Sequence, residues 1–270
     1  MLVEGNSIHA TARMAGVSVN AVLRLFAAAA RFSSEYQDRM LNNLDCRRIQ
    51  LDEIWGFVYA KQKNVPTAKS APPQAGDVWT WVAIDPDSKL VASWRVGDRT
   101  QETATEFVQD LEGRLAGRIQ LTSDGYHAYI NAVGSAFGEH VDYAMLAKIY
   151  SPAEVDQRKV VLSGDPDPDH ISTSLVERQN LTMRMSIRRF TRKTNGFSKK
   201  LLNHAYSVAL HFMYYNFIRA HASLDGLTPA QAAGVADRPY TMGWLVEKVE
   251  RAQPKPNRPS FYKPRQRQVA

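Results

Sequence analysis

Apolar residues recur at regular intervals along most of the chain, and their spacing predicts alternating helices and strands. Residues 7–30 carry apolar side chains at helical spacing on both sides of Gly16-Val17-Ser18. Glycine readily adopts the positive φ of a tight turn, and Ser7 and Ser18 are suitable helix N-caps. The pattern therefore predicts two helices around a turn, either a helix-turn-helix, which the spacing favours, or a generic helical hairpin.

Aromatic and β-branched runs predict a sheet in the middle of the chain. The predicted strands cover about 47–60, 78–85, 90–96, 119–123 and 141–148, and the predicted helices cover 100–115, 126–137 and most of 172–221. Three antiparallel strands followed by alternating helices and strands describe an α/β fold with an RNase H-like mixed sheet. In that arrangement the first strand is central and the fourth strand lies beside it.

The order of these elements divides the chain into five regions. A length of 270 residues suits one sizeable domain and a smaller one. We predict a helix-turn-helix at 1–31, a linker at 32–46, an RNase H-like catalytic domain at 47–222, a helical extension at 223–250 and a basic tail at 251–270. The tail is rich in proline and basic residues, so we expect it to be extended or disordered.

Charge and cysteine content narrow the class of protein. The net charge is +7 and the pI is near 9.5, which favours a polyanionic partner. A single cysteine, Cys46, excludes an intramolecular disulfide and a zinc finger built on several cysteines. No apolar run approaches the ~20 residues that span a bilayer, and no secretory signal is recognisable. We therefore expect a cytoplasmic protein without a membrane partner.

Two aspartates stand at positions typical of catalytic carboxylates. Asp52 lies in an otherwise apolar strand, where an unpaired carboxylate is costly, although a strand-edge residue facing water is the alternative. Asp124 ends a strand before Gly125, which is typical of a ligand site but also of a turn. The predicted sheet makes them neighbours although they are 72 positions apart. Strand alternation turns Glu53 to the opposite face, away from them.

Glu177 is the third candidate, and its sequence context has two interpretations. Ser174-x-x-Glu177 fits a capping box, in which the glutamate only closes the helix N-terminus. From Arg178 through Leu224, however, there is no acidic residue and many basic ones. Helical steps place Asn180, Arg184 and Arg188 on the face of Glu177, as expected of a metal ligand beside a DNA backbone.

Together, the three acids predict a catalytic metal site formed by Asp52, Asp124 and Glu177. Such a set can hold two Mg²⁺ or Mn²⁺ ions, which activate the attacking oxygen and stabilise the leaving oxygen of a phosphodiester. We predict DNA contacts from the helix-turn-helix and from the basic region behind Glu177. The predicted DNA-binding residues are Asn20, Arg24, Arg178, Arg184, Arg188, Arg189, Arg192 and Lys193.

Several motifs in order along the chain resemble a DDE transposase of the insertion-sequence-one type. They are Leu51-Asp-Glu-Ile-Trp55, Ser123-Asp-Gly125, Val176-Glu-Arg-Gln-Asn180, Arg192-Lys-Thr-Asn-Gly-Phe-Ser-Lys199 and Tyr214-Tyr-Asn-Phe-Ile-Arg-Ala-His221, continuing to Leu227-Thr-Pro-Ala230. The resemblance covers about residues 5–240. Members often carry a cysteine zinc finger ahead of the helix-turn-helix, whereas this chain has only Cys46.

The resemblance implies a function and a set of roles. Asp52, Asp124 and Glu177 would be the catalytic triad, and Arg184, seven residues after the glutamate, the accessory basic residue. The helix-turn-helix would bind the terminal inverted repeats of a transposon, whose ends are cleaved and joined to target DNA by a homo-oligomer. Two alternatives stay open, namely an inactive or domesticated DNA-binding protein and an RNase H-type nuclease that cuts RNA–DNA hybrids.

Overall fold

The computed structural model describes residues 1–150 and 155–253, so most of the predicted basic tail, residues 254–270, lies outside the described residues. The helices are α1 (Ile8–Ala15), α2 (Val19–Met40), α3 (Gln101–Glu112), α4 (Ala128–Phe137), α5 (Ser174–Ser186), α6 (Leu201–Phe217), α7 (Pro229–Ala232) and α8 (Met242–Ala252). The strands are β1 (Arg48–Val58), β2 (Gly76–Ile84), β3 (Val91–Gly97), β4 (Ile119–Asp124), β5 (Val141–Tyr150) and β6 (Val155–Ser163).

The six strands form one mixed sheet in the order β3-β2-β1-β4-β5-β6. Strand β1 pairs antiparallel with β2 and parallel with β4, and β6 closes the far edge antiparallel to β5. The predicted RNase H-like α/β fold, with the first strand central and the fourth beside it, is therefore confirmed. Strand β6 lies in a region for which the sequence pattern predicted no strand.

The sheet is covered by helices on both faces, because the apolar residues of the central strands alternate between two cores. On one face Leu51 and Trp81 pack in the same core as Phe107 of α3 and Tyr129 of α4. The core on the opposite face contains Ile54 and Val82, together with Val176 of α5 and Phe212 of α6. Consecutive residues of β1 therefore contact different helical layers.

The N-terminal helices meet at a sharp turn. Gly16 adopts φ 63° at the end of α1, and the side chains of Ser7 and Ser18 accept hydrogen bonds from backbone N–H groups of the first turns that follow them. Helices α1 and α2 are bent by 114° relative to one another. This geometry suits a helix-turn-helix, although its role in reading DNA stays a prediction.

Helix α2 continues for 22 residues, well past the end of the predicted helix-turn-helix. Its second half is part of the core, since Ser33 and Gln37 are buried and the Gln37 amide donates to the carbonyl of Ala209 on α6, at 3.0 Å. The predicted linker at 32–46 thus begins inside a packed helix. Within the described residues no single helix could cross a membrane; α1 and α2 pass that test only when taken together, across their bend.

Helix α6 approaches β1 closely at Gly56. A Cβ atom at this position would lie 3.1 Å from Cε1 of His204, a residue that is itself fully buried. We expect Gly56→Val to lower the free energy of unfolding by about 1–3 kcal/mol, because the added methyl groups overpack this contact. Urea denaturation would measure the change.

Gly134 provides the matched control for this substitution. It lies inside α4, and a Cβ atom there meets nothing within 4 Å. Gly134→Ala is expected to raise the free energy of unfolding by about 0.5–1 kcal/mol, as alanine favours a helix. Equal effects of the two substitutions would show that the close contact at Gly56 has no energetic importance.

Candidate active site

The candidate site lies where β4 ends beside the longer strand β1. The last paired residues of these strands are Leu51 and Ser123, and β4 ends at Asp124, whereas β1 continues to Val58. Asp52 is therefore the first residue of β1 beyond that pairing. The strand ends leave a gap in the sheet, which we call the carboxylate notch and define by Asp52, Glu53 and Asp124.

Each of the three carboxylates has an oxygen atom within 4.8 Å of an oxygen of the other two. The expectation that Asp52 and Asp124 are spatial neighbours is thus met. The expectation that Glu53 points away from them is wrong. Although Glu53 faces the layer of α3 and α4, where it accepts a hydrogen bond from the hydroxyl of Tyr129 at 2.9 Å, the gap beside β1 brings its carboxylate to the same point.

The proximity of these acids makes their negative charges mutually unfavourable. Burial, followed by the charges of Glu53 and Asp124, raises the pKa of Asp52 to about 7. Burial and the charge of Asp124 also raise the pKa of Glu53, against the opposing effect of Arg99. A group of carboxylates with raised pKa values favours a bound cation or a proton, which is the electrostatic signature of many functional sites.

Helix α5 is anchored directly over β1 beside this notch. The side-chain oxygen of Gln50 accepts from the backbone N–H groups of Leu175 and Val176, at 2.9 and 3.1 Å, at the start of the helix. Further along, the amide of Asn180 donates to the Asp52 carboxylate at 2.7 Å. Two side chains from the same face of β1 therefore fix both the position and the direction of α5.

Glu177 lies one helical turn before Asn180 and is exposed. Its carboxylate is outside the group formed by Asp52, Glu53 and Asp124. The capping-box interpretation is wrong, because α5 begins at Ser174 with no side-chain cap and Glu177 instead accepts a hydrogen bond from the Thr173 hydroxyl at 3.2 Å. Its role as the third metal ligand stays a prediction.

Arg184 lies one helical turn after Asn180. Burial and the nearby Arg192 lower its pKa, whereas the charge of Asp52 acts in the opposite direction. Among the described residues, Nη1 of Arg184 and the side-chain oxygen of Asn180 are buried without a hydrogen-bond partner. Unpaired buried polar atoms beside clustered carboxylates fit a site that takes up a divalent cation, for which oxygen ligands are suitable, together with an anionic group.

The predicted DNA-binding residues differ in their exposure and in the elements that carry them. Arg188 does not share the helical face of Glu177 as expected, because α5 ends at Ser186. Arg189 has its guanidinium 5.3 Å from the ring centroid of Phe26 on α2, and burial lowers its pKa to about 10. The exposed members of the set are Asn20, Arg24, Arg178, Arg192 and Lys193.

Comparison with known proteins identifies a curated protein that is similar to this chain. No protein-family model matches the chain. It is 28% identical over 155 residues to the insertion element iso-IS1n protein InsB of Shigella dysenteriae, a match that covers 57% of this chain and 86% of that protein.

Similar solved structures include two assemblies. A chain of the simian T-cell lymphotropic virus intasome in complex with the PP2A regulatory subunit B56 gamma matches with a TM-score of 0.42 and 17% identity. That match covers 73% of this chain and 58% of the intasome chain. The Mos1 mariner paired end complex with Mn matches with a TM-score of 0.27 and 12% identity, covering 77% of this chain and 71% of that one.

The strand order and the carboxylate notch define the fold class, an RNase H-like mixed α/β sheet in which three carboxylates converge at the end of β4. Within that class, the curated relative confirms the resemblance to transposases of the insertion-sequence-one type.

Proposed function

We propose that this protein is a metal-dependent DNA transposase that cleaves the ends of a transposon and joins the resulting 3′-OH to target DNA. The observation that carries the proposal is the convergence of Asp52 and Asp124 at the end of β4, with Asn180 and Arg184 of α5 directly above them. The relation to an insertion-element protein supports DNA as the substrate.

The residues of the notch have separate roles in this proposal. Asp52 and Asp124 would hold Mg²⁺ or Mn²⁺, and Glu177 would complete the set of ligands from α5. When bound, two such ions would polarise the scissile phosphodiester and activate the attacking oxygen. Asn180 holds the Asp52 carboxylate in place, and Arg184 neutralises charge on the scissile phosphate.

DNA binding relies on polar and basic side chains of α2, of α5 and of the segment after α5. Asn20 and Arg24 read the terminal inverted repeats from the exposed side of α2. The backbone phosphates are contacted by the basic residues on and after α5, namely Arg178, Arg184, Arg188, Arg189, Arg192 and Lys193. Because each phosphate contact releases counterions, affinity should fall steeply with added salt. Two transposon ends must be handled together, so we propose that a homo-oligomer acts.

A cleavage assay with the protein and labelled duplexes tests this function. The substrates would be the terminal segments of the DNA element that encodes the chain, a shuffled duplex and an RNA–DNA hybrid of the same length. We expect nicking at the element end with Mg²⁺ and no nicking after chelation with EDTA. Binding without metal-dependent nicking would favour the inactive DNA-binding protein, and preferential cutting of the hybrid would favour the nuclease.

A further inference from the structure

Arg99 contacts Glu53, one of the notch carboxylates, on the face of β1 opposite α5. It follows β3, and its Nε and Nη2 atoms both contact one oxygen of Glu53, at 2.7 and 2.6 Å. The Glu53 side chain is only 1% exposed, whereas that of Arg99 is 38% exposed. A buried carboxylate of this kind requires a nearby cation, and the two contacts fix the plane of the guanidinium.

The same guanidinium also lies against the ring of Tyr126. Its central carbon is 4.0 Å from the Tyr126 ring centroid and 4.9 Å from that of Trp79. The Tyr126 hydroxyl donates to the backbone carbonyl of Arg99 at 2.9 Å. Stacking and a hydrogen bond thus join the Arg99 loop to the segment that follows β4.

Tyr126 in turn orients the catalytic aspartate of β4. Its backbone N–H donates to Oδ1 of Asp124 at 3.1 Å. A continuous series of contacts therefore runs from Glu53 through Arg99 and Tyr126 to Asp124. Outer residues of this kind commonly hold a ligand at the angle that a metal ion requires.

We propose that Arg99 is a positioning residue that, braced by Glu53, fixes the Asp124 carboxylate through Tyr126 for binding of a divalent cation. This inference rests on the proposed function, since it takes Asp124 as a metal ligand. It also assigns Glu53 a role distinct from that of Asp52, namely to hold Arg99 in place. The location of Glu53, buried at the α3 and α4 side of the notch with both oxygens accepting hydrogen bonds, supports that division.

The test measures affinity for Mn²⁺ alone, without DNA, by electron paramagnetic resonance of the free ion. Arg99→Lys retains the positive charge beside Glu53 but loses the planar group that contacts Glu53 and Tyr126 together. Tyr126→Leu retains the N–H group that binds Asp124 but loses the ring and the hydroxyl. We expect each substitution to weaken Mn²⁺ binding by about 10-fold or more.

Arg95→Gln is the matched control, because Arg95 of β3 pairs with Glu106 of α3, both side chains are exposed, and neither residue belongs to the notch. It should leave Mn²⁺ affinity unchanged. DNA affinity in EDTA should be the same for Arg99→Lys and the unmodified protein, since the proposed role acts on the metal site. Circular dichroism and thermal unfolding would establish that each variant is folded.

Two outcomes would overturn the inference about Arg99, and a third would overturn the proposed function. Unchanged Mn²⁺ affinity in folded Arg99→Lys and Tyr126→Leu would overturn the inference. Loss of DNA affinity without loss of Mn²⁺ affinity would also overturn it and make Arg99 a phosphate contact. The proposed function is tested separately by Asp124→Asn: if that variant binds Mn²⁺ normally, then Asp124 is not a ligand and the function itself fails.

Discussion

Asp52→Asn is expected to abolish DNA cleavage and, at the same time, to stabilise the metal-free protein. A metal ion that is held by this carboxylate supplies several kcal/mol of charge stabilisation, so its loss should slow cleavage by about 10³-fold or more. In the absence of metal, removal of one of three neighbouring negative charges should raise the free energy of unfolding by about 1–2 kcal/mol at pH 8. Single-turnover cleavage and urea denaturation would measure the two effects.

The pH dependence of stability separates this charge effect from a packing effect. The pKa of Asp52 is raised to about 7 in the folded protein, above its ordinary value of 3.8, so the folded state binds the proton more tightly. Its contribution to stability is fully present below pH ~4 and is lost as the pH rises towards ~7. The decrease in stability that is due to Asp52 should be absent in Asp52→Asn.

Asp38→Asn is the control for this substitution. Asp38 is an exposed residue paired with Arg114, so the variant should retain activity and gain no stability.

Glu177→Gln is expected to reduce cleavage by about 10²-fold or more while leaving stability nearly unchanged. The side chain is exposed, so substitution should alter the free energy of unfolding by no more than about 0.5 kcal/mol. The large effect on rate follows from its proposed position as the metal ligand supplied by α5. Cleavage at saturating Mg²⁺ and thermal unfolding, measured on the same preparation, would provide both numbers.

Glu53→Gln is the informative comparison, as it removes the other glutamate that could complete the site. Glu53 is buried, but its partner Arg99 is 38% exposed, and burial and the charge of Asp124 already raise the Glu53 pKa, so neutralisation should change the free energy of unfolding by no more than about 1 kcal/mol. Full activity of Glu177→Gln, together with inactivity of a folded Glu53→Gln, would assign the third ligand to Glu53 and contradict our proposal.

The positions of Asp52 and Asp124 could be predicted because both depend on local pattern. Each ends or interrupts an apolar strand, and the order of strands then makes them neighbours. The location of Glu53 could not be predicted from strand alternation alone. Alternation correctly turns its side chain to the opposite face, but the position of its carboxylate depends on where the neighbouring strand β4 ends, which the residues of β1 do not specify.

Two further differences have the same physical origin. Strand β6 has mainly exposed side chains along 157–162, so it lacks the apolar alternation by which strands are recognised. It forms because β5 offers an unpaired edge. Similarly, the polar residues after Phe32 indicated a linker, yet Gln37 is buried with its amide hydrogen-bonded to α6. In both cases tertiary contacts override a local pattern.

The unbroken length of α2 affects the distance along DNA between the base pairs that the protein would recognise and the phosphate that it would cleave. A helix of 22 residues is about 33 Å long, close to one turn of a DNA duplex. Asn20 and Arg24 stand near its first turn, and its last turns are locked against α6, which packs beneath the sheet that carries Asp52. In the proposed function, a rigid helix in this position would hold the residues that read DNA at a fixed distance from Asp52. The spacing between the recognised base pairs and the cut phosphate would then be set by the protein itself, and a tolerance of even one or two inserted base pairs is not expected.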